Sequence, residues 1–168
     1  MVKDALLLTV FPAAMAFAAA TDLITMTVPN RIAIALVAGF FLIAPIAGLG
    51  FTDLGLHVLA GTVALIVTFG FFAMGWIGGG DAKLFAATAL WFGPEAVLTY
   101  SLTAALIGGA LTLVILFWRG TPLPVAFASQ GWLLRLHDPN KGVPYGIALA
   151  AAGLLVYPDT AFMAAVGG

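Results

Sequence analysis

The chain contains no cysteine among its 168 residues. That excludes disulfides, thiolate metal sites and a cysteine nucleophile. Charge is also scarce: Asp, Glu, Lys and Arg make up 8% of the sequence, whereas a soluble domain carries about 25%. The net charge of −1 provides no basic field, so nucleic acid is not an expected partner. His57 and His137 are the only two histidines, too few for a histidine-based metal site, and no cofactor is expected. Ser101 and Ser129 lack a G-x-S-x-G context, which argues against serine chemistry.

What is abundant is hydrocarbon. Hydrophobic residues make up 63% of the chain and mean hydropathy is +1.16. The apolar runs are continuous rather than alternating, which predicts an all-α, polytopic membrane helical bundle and not a barrel. Runs at 5–21, 32–49, 54–77 and 96–118 are long enough to cross a bilayer. Two shorter ones, 84–92 and 143–157, end at Gly93-Pro94 and Pro158-Asp159. This gives about six transmembrane helices in one domain spanning 1–168, with the fourth short enough to be a re-entrant half-helix. Lys3, the first run and Ala18-Ala19-Ala20 have the outline of a secretory signal. Asp4 offsets Lys3, however, and more spans follow, so the segment reads as the first helix.

Six spans divide the connections into two sets. One set holds Arg31, Lys83, Arg119, Arg135 and Lys141, five of the six basic residues. The other has Lys3 with Asp4, Asp53, Glu95 and Asp159. The positive-inside rule then puts both termini outside and the basic loops in the cytoplasm. The longest of these loops, 119–142, opens on Gly120-Thr121-Pro122-Leu123-Pro124 and continues into Trp132-Leu133-Leu134-Arg135-Leu136-His137. The first stretch resists helix formation, and the second suits a short interfacial helix.

Two acids stand out on the cytoplasmic side. Asp22 follows the first apolar run, and Asp81 follows Gly78-Gly79-Gly80. Taken singly, Asp22 reads as a helix-end residue and Asp81 as an N-cap. Ionisable groups at a bilayer nevertheless mark function by default. The glycines remove side-chain bulk and let another backbone approach. Two carboxylates sharing one proton can activate a water and polarise a carbonyl. Asp22 lies at a helix C-terminus and Asp81 at a helix N-terminus, so helix polarity predicts Asp81 as the ionised base and Asp22 as the protonated partner.

The sequence resembles the prepilin peptidases, or type IV leader peptidases, membrane aspartic proteases of the GxGD class. Gly78-Gly79-Gly80-Asp81 matches G-x-G-D, and Ala82-Lys83-Leu84 matches its usual continuation. Asp22 followed by Val28-Pro29-Asn30 matches the first-loop pattern, and Val143-Pro144-Tyr145-Gly146-Ile147-Ala148 matches a late segment. The resemblance implies that Asp22 and Asp81 are a catalytic pair. It further implies a pilin precursor as substrate, cut behind a short polar leader at the cytoplasmic face of the bacterial inner membrane. Long members carry a cysteine-paired cytosolic insertion and N-methylate the product. Without that insertion the chain resembles the short, peptidase-only form that serves Flp-type (tight-adherence) pili, so pilus assembly or secretion machinery joins the bilayer as an expected partner.

The remaining site candidates have plainer readings beside the functional one. Gly78 and Gly80 are also ordinary turn residues. Lys83 is either a substrate-facing cation or a snorkelling lysine. Pro29 and Asn30 shape the first loop and start the second helix, with Asn as a cap. Pro144, Tyr145 and Gly146 start the last helix and could reach the site. Gly108-Gly109 reads as close helix contact, and His57 is expected on the side away from the acids. The rival function is a small proton-coupled transporter or channel component, which would need its acids near the midplane.

Overall fold

The computed structural model describes residues 1–124 and 129–167, and every regular element among them is a helix. These are α1 (Val2–Thr25), α2 (Asn30–Ile46), α3 (Phe51–Ala73), α4 (Gly79–Arg119), α5 (Gly131–His137), α6 (Tyr145–Val156) and α7 (Ala161–Ala164), with a 3-10 turn, Tyr157–Asp159, before α7. α1, α3 and α4 are long and apolar enough to cross a membrane, and two shorter apolar helices accompany them. Large apolar side chains also face outward: Leu106 is 77% and Phe117 82% exposed. Such a surface suits lipid rather than water. The chain is a polytopic helical membrane bundle, as its composition predicts.

α4 is two arms joined at a break. Gly93 has φ 62° and ψ −172°, a conformation glycine adopts without the penalty a Cβ brings. Pro94 follows, supplies no N–H and disfavours helix at the preceding residue. In a continuous helix, residues 85 and 100 would lie about 22 Å apart. Instead the Phe85 and Tyr100 rings are 5.1 Å apart and Phe92 and Tyr100 are 4.9 Å apart. The second arm (94–119) therefore folds back along the first (79–92), as the sequence predicts from Gly93-Pro94. The first arm is short, about 21 Å by helical rise, and is buried along most of its length.

Around that arm, α1 contributes Phe11 and Met15 to the core and α6 contributes Leu149 and Ala150. Trp91 donates from Nε1 to the Leu36 carbonyl at 2.9 Å, and Phe11 stacks on Tyr157 at 4.5 Å. Small residues let α6 pack closely on its neighbours. A Cβ on Gly153 would lie 3.2 Å from Met15 Sδ.

Loop 119–142 contains a short helix, α5 (Gly131–His137); residues 125–128 of that loop lie outside the described residues. Arg119 holds the loop through three carbonyls: Nε to Leu136 at 2.8 Å, Nη1 to Lys141 at 3.1 Å and Nη2 to Gly142 at 2.9 Å. Arg135 Nη2 donates to the Ile24 carbonyl at 2.6 Å, which ties α5 to the end of α1. At the opposite end of the bundle, the Gly167 N–H donates to Asp4 Oδ1 at 3.1 Å.

Candidate active site

Asp22 sits in the last turn of α1 and is 3% exposed. Just beyond it the chain turns sharply: Met26 is left-handed at φ 57° and donates its N–H to the Asp22 carbonyl at 2.8 Å. The Asp22 side chain points toward the start of α6. There Pro144, fully buried, occupies the N-cap position. The first N–H groups of a helix have no partner within it, and the Gly146 N–H donates to Asp22 Oδ2 at 2.7 Å.

Asp81 lies in the first turn of α4, where the N-cap is Gly78 and not Asp81 itself. The three glycines have separate neighbours. A Cβ on Gly78 would lie 3.0 Å from Asp81 Oδ2, and one on Gly79 would lie 3.2 Å from the Phe72 ring. A Cβ on Gly80 would be 3.2 Å from both the Cβ and the carbonyl oxygen of Val28. Here another backbone does come close. Val28 packs against α6 as well, because its Cγ2 would be 2.9 Å from a Cβ on Gly146. Val28 thus sits between the glycine beside Asp81 and the glycine bonded to Asp22. Asp22 and Asp81 therefore flank the same Val28 residue.

Tyr145 and Asp81 line the same groove. The Tyr145 hydroxyl donates to the Ala104 carbonyl at 3.2 Å, and a Cβ on Gly108 would overlap the tyrosine ring. Gly108 is thus the seat of Tyr145, while Gly109 has open space beside it. Lys83 Nζ donates to Asn30 Oδ1 at 3.0 Å. Asn30 therefore does not cap α2, where Pro29 is the N-cap; its side chain joins the first loop to the first turn of α4. His57 is elsewhere: its Nδ1 bonds the Leu90 carbonyl at 2.9 Å and its Nε2 lies beside Gly93. That is the end of the first arm away from Asp81.

The structure therefore brings Asp22, Asp81, Gly78, Gly80, Tyr145 and Gly146 to one end of the bundle, with Pro29, Asn30, Lys83 and Pro144 around them. Sequence reasoning did not single out Val28 as the wedge, or Arg119 and Arg135 as ties for the loop leading to Pro144. No local spacing announces these contacts; the Gly146–Asp22 bond joins residues 124 positions apart. Asp22 ends α1 and Asp81 starts α4, as expected, but Asp22 also faces the first turn of α6, so the helix ends around the pair do not by themselves separate the two acids. Among the described residues no group of His, Cys, Asp and Glu could hold a metal ion.

A pair of carboxylates at one end of a lipid-facing helical bundle defines a membrane protein with the elements of acid–base chemistry. The family model for the type IV leader peptidases matches residues 9–113, and the chain belongs to that family. The matched stretch includes both acids and the glycine triplet but stops before Tyr145 and Gly146. No curated protein and no solved structure matches the chain.

Proposed function

We propose that this family member is an aspartic endopeptidase that removes the leader from Flp-type pilin precursors at the cytoplasmic face of the bacterial inner membrane. The observation that carries this reading is the convergence of Asp22 and Asp81, from α1 and α4, around Val28 and the Gly146 N–H. In the reaction one carboxylate is ionised and takes a proton from a water. The water oxygen attacks the scissile carbonyl carbon while the other acid, protonated, donates to the carbonyl oxygen. The tetrahedral species collapses and the C–N bond breaks; the departing nitrogen takes the proton that the base drew from water and leaves as an amine, and the proton on the former carbonyl oxygen returns to the second acid. The short backbone bond to Asp22 favours the charge there, so Asp22 is the base in this reading and Asp81 the proton donor. That reverses the order helix polarity suggests in the sequence.

Several observations favour a peptidase over the proton-coupled carrier. Both acids lie at one end of the bundle. Lys83, Arg119, Arg135 and Lys141 gather at that same end, which by the positive-inside rule faces the cytoplasm. The test is incubation of the purified protein in lipid nanodiscs with Flp-type pilin precursors and S-adenosylmethionine, followed by mass spectrometry. The expected product is a single cut that releases the leader, with no methyl group on the new N-terminus. Failure to cut any such precursor would overturn the proposal.

A further inference from the structure

Two apolar grooves flank the first arm of α4. One, about 700 Å³, runs between α3 and the arms of α4 and is lined by Leu56, Val63 and Phe71 together with Asp81 and Tyr145. The other, about 690 Å³, lies against α2 and is lined by Ile34, Thr62 and Lys83 among others. Only the first contains an acid. It extends from Asp81 at the start of the arm to Pro94 at its end. Along α3, Leu56 to Phe71 corresponds to about 22 Å of helical rise, a large part of the roughly 30 Å hydrocarbon core.

The chemistry of this groove narrows its occupant. Thr68 and Ser101 are among its few polar residues, and their hydroxyl hydrogens are already used. Thr68 Oγ1 donates to the Ala64 carbonyl at 2.7 Å and Ser101 Oγ to the Val97 carbonyl at 2.6 Å. Above Asp81 the groove therefore offers apolar contact and no spare donor, so a polar peptide would lose its hydration there without compensation. A peptide segment at bilayer depth must also satisfy its own backbone, which requires a helix. The Gly78 to Gly80 stretch beside Asp81 is packed against the chain's own Asp81, Phe72 and Val28, so the acid itself marks the reacting end of the groove.

We infer that this groove seats an apolar helical segment of the pilin precursor, with the bond to be cut at the Asp81 end. This rests on the peptidase reading above and adds the face of the enzyme along which the substrate enters. The groove against α2, with Lys83 and Asn30 at its mouth, takes no part in holding that helix.

The absence of cysteine in the chain makes the test direct. Thr62 and Val63 are neighbours on α3 that face different grooves. Thr62→Cys and Val63→Cys, each in an Asp81→Asn background that retains uncut precursor, are mixed in nanodiscs with precursors carrying single cysteines along the apolar segment. Disulfide capture at Val63→Cys and not at Thr62→Cys is expected. In the active enzyme, Val63→Trp should raise KM roughly tenfold with kcat little changed, by filling space the substrate needs. Ile34→Trp, in the other groove, should leave KM within about twofold. Capture at Thr62→Cys, capture at neither position (the result if the groove holds only lipid), or an unchanged KM in Val63→Trp would each overturn the inference while cleavage itself persists. A wild-type enzyme that cuts no precursor would instead overturn the peptidase reading.

Discussion

Gly146→Ala is the sharpest perturbation the structure offers, because it adds one methyl group at the point where α6 meets Asp22. The new Cβ would lie 2.8 Å from Asp22 Oδ2, 2.9 Å from Val28 Cγ2 and 3.1 Å from Asp22 Cγ. The first two are closer than carbon tolerates, so the carboxylate or Val28 must move. The Pro144 N-cap and the α6 helix itself remain compatible with alanine, so the damage is local. Displacing the carboxylate forfeits the 2.7 Å bond from the Gly146 N–H. A hydrogen bond to a charged group contributes about 1.5–3 kcal/mol. If that stabilisation is lost from the reacting state, kcat falls roughly 10- to 150-fold. The assay is single-turnover cleavage of a pilin precursor in nanodiscs, with thermal unfolding of the same preparation as a check on folding. A folded Gly146→Ala enzyme with wild-type kcat would refute the claim that this bond organises the site.

Other perturbations separate neighbours that look alike in sequence. Gly108→Ala should dislodge the Tyr145 ring and lower cleavage roughly 5- to 150-fold, the equivalent of an overpacking cost of about 1–3 kcal/mol, whereas Gly109→Ala, with open space beside it, should retain activity. Parallel cleavage assays on the two variants check this. Arg119→Ala removes three bonds to loop carbonyls, each worth about 0.5–1.5 kcal/mol. Hydrogen exchange should then quicken in residues 131–142 by roughly ten- to a hundredfold, with a smaller change in Arg119→Lys. A pair of carboxylates sharing one proton works only when one is ionised and the other is not, so kcat against pH should be bell-shaped. Cleavage loses its base as pH falls and its proton donor as pH rises; a profile flat across both limbs would contradict the shared-proton mechanism.

Much of this architecture is legible in the amino acids because its signals are local. Gly93-Pro94 marks the break in α4 by removing both a Cβ and an N–H at adjacent positions. Trp132 to His137 mixes apolar, aromatic and basic residues and forms the short helix α5. Gly80 matters for the reason its missing side chain suggests, since the Val28 backbone packs against it. What stays hidden depends on contacts across the fold. Asp22 reads as a carboxylate at an unfavourable helix end until α6 brings its own N-terminus to it. Asn30 reads as a cap, yet its side chain accepts from Lys83, 53 positions away. Gly108 and Gly109 are indistinguishable in sequence, and only the position of Tyr145 tells them apart. Propensity and hydropathy set which segments are helices, whereas the partners of polar atoms follow from how those helices pack.

In the proposed mechanism Asp22 and Asp81 act together as one catalytic unit. The most direct measurement is single-turnover cleavage of a pilin precursor by the wild type, Asp22→Asn and Asp81→Asn. Asparagine keeps the size of each side chain and removes its acid–base function. Each substitution should abolish detectable cleavage, or lower it by at least about 10²–10⁴-fold, and the double variant should be no worse than either single one. Near-wild-type cleavage by either single variant, in protein that is folded and binds precursor, would contradict the account.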